Sequence, residues 1–192
     1  MKNVQIYPTN IFYENITNTL NNQSLIDEIY NLFEATSDGL NSASVRFGWQ
    51  SNKDLYAQSV FHPLCDLILK KFIDCSLIDF NKYTPSITAL WANAQGLHGF
   101  NYAHIHAGAW YSGVYFLNCT ESTGAIKFLD PRPGSDQSYP RTSNNDIFCY
   151  KPNIGDLILF PAWLPHLVEP NLDKQQQRIS LAFNIELFEA NQ

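Results

Sequence analysis

Three histidines and one arginine carry the chemistry visible in this sequence. His104-Ile105-His106 lies in a run of β-forming residues. Successive side chains of a strand alternate faces, so the two imidazoles point the same way and can chelate one metal ion. His166 follows a strong strand pattern, DLILFP. Arg178-Ile179-Ser180 is a second same-face pair. Its guanidinium is a planar fork suited to a carboxylate, and the Ser180 hydroxyl can add a further hydrogen bond. Taken singly these signals are weak: a lone His on a strand is usually a hydrogen-bonded structural residue, and a lone Arg a solvated charge. In the order His-x-His, His, Arg-x-Ser they supply three metal ligands and an anion clamp, as a metal site with an acidic chelating ligand requires.

The elements that must position these residues change character along the chain. Residues 4–7 (VQIY) read as a short strand ended by Pro8. Leu25, Ile26, Ile29, Tyr30 and Phe33 recur at helical spacing and predict an amphipathic helix over 22–36, with Ser24 at its start and Asp38-Gly39 as a stop. Leu64, Cys65, Ile68, Leu69 and Phe72 predict a second helix over 61–75. From residue 85 the period becomes that of strands: SITALWANAQ, FNYAHIHAG, WYSGVYFLN, GAIKFLD, DIFCYK, DLILFPAW, HLVEP and QRISLAFNIEL, separated by Gly, Pro, Asn and Asp. The interruption at 130–146 is long enough to suggest a functional loop, and the tail after 187 reads as loose. The expected fold is α+β but mainly β, one domain over 1–192. A helical part (1–84) buttresses one sheet of a jelly-roll core (85–188).

Composition narrows the function classes. The 192 residues suffice for one sizeable core. A net charge of −6, with no basic run longer than Lys70-Lys71, argues against a nucleic-acid surface. The N-terminus lacks the pattern of a signal peptide and no apolar run could span a bilayer, so a cytoplasmic protein without a membrane partner is expected. Cys65, Cys75, Cys119 and Cys149 lack metal or redox spacing and are expected as buried reduced thiols. The sequence carries no signal of oligomeric state.

FNYAHIHAGAWYSGVYFLN, then GAIKFLDPR, then GDLILFPAWLPHLVEPN and RISLAFNIEL resemble the iron(II)- and 2-oxoglutarate-dependent oxygenases. The resemblance covers about 86–188 and is strongest to small bacterial and phage members, more distant to the prolyl 4-hydroxylase branch. A fainter likeness lies at GWQSNKDL, residues 48–55. It implies a double-stranded β-helix of cupin-like, jelly-roll form. It also implies iron(II), 2-oxoglutarate as co-substrate with ascorbate as a further candidate, and hydroxylation of a protein side chain or small molecule. Carried over, it makes His104 and His166 metal ligands and gives Arg178, with Ser180, the remote carboxylate of 2-oxoglutarate. Tyr115 or Phe116 would line the co-substrate pocket, and Tyr102 could hydrogen-bond the co-substrate. One position departs from the pattern: the usual third ligand is Asp or Glu two residues after the first His, and here it is His106. A neutral ligand there leaves the site one unit more positive.

Other residues have plainer explanations beside functional ones. Asp130 and Arg132 could receive substrate or form a Pro-fixed turn; Asn93 and Asn101 could orient a ligand or satisfy a strand end. His62 and His98 read as structural, and Trp91, Trp110 and Trp163 as core or pocket walls. Two alternative functions stay open. One is another cupin-type metalloenzyme with a three-His site, such as a zinc hydrolase or thiol dioxygenase, which leaves Arg178 and Ser180 without a task. The other is a non-catalytic β-sandwich binding module.

Overall fold

The structure, a computed structural model, describes residues 2, 4, 6–36, 44–134 and 147–190. Among these residues nine strands form one antiparallel sheet: β1 Phe12–Asn15, β2 Val45–Gln50, β3 Tyr83–His104, β4 Tyr111–Asn118, β5 Ile126–Leu129, β6 Ile147–Tyr150, β7 Asp156–Pro161, β8 His166–Val168 and β9 Arg178–Glu189. Their order is β1-β7-β4-β9-β3-β8-β5-β6, with β2 on β3. The sheet curls into the half-barrel of a double-stranded β-helix, buttressed by helices α1 (Asn22–Ala35) and α2 (His62–Cys75). No described helix is long and apolar enough to cross a membrane.

Alternation divides the sheet into a helix face and an inner face. Leu90, Ala92 and Ala94 of β3, Tyr115 and Leu117 of β4, Leu157 and Leu159 of β7, and Ile179, Leu181, Phe183 and Ile185 of β9 form a core with Leu25 and Ile29 of α1 and Leu64, Ile68 and Phe72 of α2. The intervening residues Val114, Phe116, Ile158 and Phe160 pack inside the half-barrel with Ile126, Phe128 and Leu164. Burying one such Leu, Ile or Phe side chain is worth about 1.5–3 kcal/mol, so a one-residue slip of β3 or β9 would exchange an apolar row for one that carries Asn93 and Gln95 or Arg178, Ser180 and Asn184.

The helices form where their periodicity predicts. The Asn21 side chain accepts from the Ser24 N–H at the start of α1, so the cap lies three residues before Ser24. Pro63 occupies the first turn of α2, where a missing N–H costs nothing. Asp38-Gly39 and most of the loop at 130–146 lie outside the described residues.

The strands differ from expectation in three places. Described residues of 4–7 carry no strand; β1 instead forms at Phe12–Asn15, where the edge of β7 offers partners from Asp156 to Leu159. SITALWANAQ and FNYAHIHAG as far as His104 belong to one 22-residue strand, β3. His98, at φ +67°, and irregular pairing beyond Gln95 let it bend through Gly96 and Gly99 without ending. The chain after 187 is not loose as far as Glu189, which pairs with Tyr83. The N-terminal part also contributes two strands besides its helices. Cys149 is exposed rather than buried. Trp110 and Trp163 are exposed, and of the three tryptophans only Trp91 is a pocket wall.

Candidate metal centre

His104 ends β3 and His166 begins β8, and the two are paired across the ladder. His106 lies just past the end of β3, held by its backbone N–H on Ala162 O at 2.9 Å. The same-side placement expected from alternation therefore survives, although the strand itself stops at His104. One nitrogen from each of the three rings lies within 4.8 Å of the others.

Each ring is fixed through Nδ1. His104 Nδ1 is 2.7 Å from Tyr102 O and His166 Nδ1 is 2.9 Å from Leu164 O. A carbonyl oxygen can only accept, so both Nδ1 atoms carry the proton and both Nε2 atoms present a lone pair. His106 Nδ1 is 2.8 Å from Asn184 Oδ1, with Ser112 Oγ 3.2 Å away. The Ser112 hydroxyl donates to Phe183 O at 2.8 Å. Nε2 of His106 and His166 then face each other at 3.3 Å. Two lone pairs at that separation repel unless a cation lies between them, so the donor set fits a metal ion, and imidazole suits zinc, copper, iron and nickel. Holding Nδ1–H on an acceptor is the support that ligating histidines ordinarily have.

Apolar walls keep the imidazoles neutral. Trp91 stacks on His106 with ring centroids 5.7 Å apart, and Phe160 meets His166 edge-on at 4.6 Å. Burial pushes the His106 pKa down to about 4 and the His166 pKa down to about 3. It lowers that of His104 too. The neighbouring His104 depresses the other two, and the Lys53 charge acts the same way on His104 and His106.

The histidines open into a cavity of about 470 Å³ that is also lined by Arg178, Ser180, Asn93 and Asn101. Arg178 is 1% exposed, and all its donors are engaged. Nε and Nη2 both reach Gln95 Oε1, at 3.1 and 2.6 Å. Nη1 meets Thr123 O and Glu169 O, and Nη2 also meets Gly99 O. Among the described residues no carboxylate pairs with this buried cation, and the Glu169 carboxylate is bound to Lys127. Burial pushes the Arg178 pKa down to about 10, which leaves it charged at neutral pH. The fork expected to clamp a carboxylate is thus held by Gln95 on one edge.

Four expected site residues lie elsewhere. Tyr115 is on the helix face, its hydroxyl donating to Asn22 Oδ1 at 2.7 Å, while Phe116 lines the cavity. The register Phe116↔Ser180 settles which of the two faces inward. The Tyr102 ring is half-exposed against Phe100 and Arg46, and only its backbone carbonyl serves the site. Asp130 and Arg132 form a mutual ion pair away from the cavity. That pairing lowers the Asp130 pKa and raises that of Arg132. Asn101 accepts from Gln95 Nε2 at 2.8 Å, which helps hold Gln95 in place.

Sequence reasoning missed Gln95, Asn184, Ser112, Gln50 and Lys53. Asn184 was within reach: Arg178, Ser180, Ala182 and Asn184 are alternate residues of one strand and all line the cavity. The others depend on pairings across the sheet.

The profile of a family described as "Putative 2OG-Fe(II) oxygenase" matches residues 89–184. No curated protein matches the sequence. A prolyl-4-hydroxylase from Pseudomonas putida aligns at TM-score 0.62 and 14% identity, covering 92% of each chain. HygX from Streptomyces hygroscopicus, solved with nickel, 2-oxoglutarate and hygromycin B, aligns at TM-score 0.64 and 13% identity, covering 93% of this chain and 83% of HygX. A prolyl hydroxylase from Trichoplax adhaerens, in complex with a hypoxia inducible factor peptide, aligns at 0.62 and 15%, covering 93% and 83%. At these identities the structural likeness speaks for the fold.

Proposed function

The chain belongs to the 2OG-Fe(II) oxygenase family, and from that premise we propose that it is a metalloenzyme whose centre is held by His104, His106 and His166. This is a three-imidazole variant of the site that more often uses two histidines and a carboxylate. The observation that carries the reading is the convergence of three imidazoles with every Nδ1 tied to an acceptor. A divalent ion bound there supplies Lewis acidity and, if it is iron, access to dioxygen chemistry. The protein's own part is to keep the ligands neutral, fix their tautomers and set them against the apolar rings of Trp91, Phe128 and Phe160. Calorimetry with iron(II) under anaerobic conditions, and with nickel and zinc, tests it. One ion per chain is expected, lost in His104→Ala and His166→Ala; wild-type affinity in either variant removes that residue from the centre.

A second, finer reading is 2-oxoglutarate-coupled hydroxylation of a small molecule or protein side chain. Arg178 favours it, as a buried cation without an acidic partner among the described residues and in the same cavity as Ser180. HygX, of similar fold, holds 2-oxoglutarate together with nickel. For Arg178 to take the remote carboxylate, Gln95 must leave the fork, and the incoming carboxylate then replaces a neutral acceptor with a charged one. The expected result is 2-oxoglutarate binding to nickel-loaded protein that weakens by about one to two orders of magnitude in Arg178→Lys, because the fork is lost. No detectable 2-oxoglutarate binding would leave the three-His metalloenzyme without this co-substrate.

A further inference from the structure

The segment GWQSNKDL is built against the cavity. Ser51 N–H donates to Ala92 O and Ala92 N–H to Ser51 Oγ, at 3.0 and 2.9 Å, while Leu90 N–H donates to Lys53 O at 2.9 Å. These bonds grip β3 on both sides of Trp91. They hold Lys53 Nζ 4.9 Å from the Trp91 ring centre, and both Gln50 and Lys53 line the cavity. Among the described residues no acid pairs with Lys53.

The charge of this wall is one-sided. The protein as a whole carries −6, yet the charged residues that line the cavity are both cations, Lys53 and Arg178, with no Asp or Glu among its described residues. A low-dielectric cleft of one sign concentrates ligands of the other. Two neutral side chains that line the same cavity also lack partners among the described residues. Gln50 is 5% exposed and its amide makes no hydrogen bond with a described residue. Asn93 is 6% exposed and its Oδ1 is buried without a donor among the described residues. A buried acceptor without a partner is destabilising, so a ligand bearing an N–H or O–H would relieve it.

We propose that the primary substrate is an anionic small molecule whose carboxylate or phosphate pairs with Lys53 above Trp91, its hydrogen-bonding groups meeting Gln50 and Asn93. This rests on the cavity being a catalytic site. It assigns Arg178 and Lys53 to different anions, one beside Gln95 and one at the GWQSNKDL edge.

The test uses full-length protein, metal-free and zinc-loaded, with and without saturating 2-oxoglutarate. Acetate and inorganic phosphate are titrated separately, with acetamide as the neutral control, following the Trp91 indole resonance assigned through Trp91→Phe. Saturable shifts with acetate, phosphate or both are expected, and the responding anion identifies the group. Lys53→Met should weaken anion binding roughly tenfold, as loss of a charge-assisted contact does. Arg132→Met, away from the cavity, should change nothing, and 2-oxoglutarate affinity should stay within about twofold of wild type in Lys53→Met. Equal response to acetamide, or anion affinity unchanged in Lys53→Met, overturns the proposal. So does loss of 2-oxoglutarate affinity in Lys53→Met matching the loss for acetate, which would make Lys53 a co-substrate residue. Lys53-dependent anion binding in a protein that takes up neither metal nor 2-oxoglutarate would uphold the anion site and remove the metalloenzyme reading.

Discussion

Removing the Asn184 amide tests whether outer support shapes the metal centre. His106 Nδ1 is bound to Asn184 Oδ1 at 2.8 Å. Losing the partner that orients a ligating imidazole typically costs 10–100-fold in metal affinity, or about 1.4–2.7 kcal/mol. Two features place Asn184→Ala near the lower end. Ser112 Oγ lies 3.2 Å from the same nitrogen, and with its own proton committed to Phe183 O it can accept. The His106 ring is also confined by Trp91 and Phe160, so it cannot swing far. The expected loss is therefore about tenfold. Asn184→Asp keeps an acceptor and adds a charge that raises ligand basicity, so it should bind metal at least as well as wild type. Competition against a chelator, with zinc and with nickel, measures both, and urea unfolding of the metal-free proteins separates ligand orientation from global stability. Wild-type affinity in Asn184→Ala would refute the idea that this hydrogen bond sets the His106 ring. An Asn184→Asp protein as weak as Asn184→Ala would show that the acceptor is not what matters.

Two further outcomes follow from the same geometry. Gln95→Ala empties one edge of the Arg178 fork, so metal-free stability should fall by about 1–3 kcal/mol while 2-oxoglutarate affinity rises about fivefold, by calorimetry; a fall in affinity would make Gln95 a ligand of the co-substrate. Gly113→Ala would press a Cβ into the Phe183 ring and the Ile158 carbonyl oxygen, where backbone must shift. A loss of about 1–3 kcal/mol in urea unfolding is expected, and an unchanged midpoint would mean that β4 and β7 are less tightly spaced than they stand.

What the sequence disclosed was local in origin. Both helices were legible because apolar residues recur within a few positions of each other, and the His-x-His pair because alternation acts over two residues. What stayed hidden depends on partners far along the chain. Tyr115 and Phe116 are equally plausible pocket residues until β4 is set against β9, which brings Phe116 opposite Ser180. The long β3 was read as two strands because Gly96, His98 and Gly99 look like punctuation. The turn residues instead mark the place where the strand changes partners, from β9 to β8.

The same register explains how the site and its restraint arise together. β3 and β9 pair so that Asn93 faces Ser180 and Gln95 faces Arg178. Once Arg178 is turned towards the cavity with Ser180, alternation turns Asn93 and Gln95 there as well. Leu181, Phe183, Ala92 and Ala94 meanwhile build the core against the helices. A buried guanidinium needs acceptors wherever it stands, and the residue across the ladder is the nearest that can supply one. Gln95 is an amide, so it satisfies Arg178 without neutralising it, and the charge remains available to an anion that can displace a neutral acceptor. An acid at that position would have closed the fork with an ion pair. A Leu or Ala would have left the guanidinium short of partners in the metal-free protein. The pairing therefore favours a cavity that is stable when empty yet keeps its positive charge for a ligand. This is why Gln95→Ala separates the stability of the protein from its affinity for a carboxylate, moving the two in opposite directions.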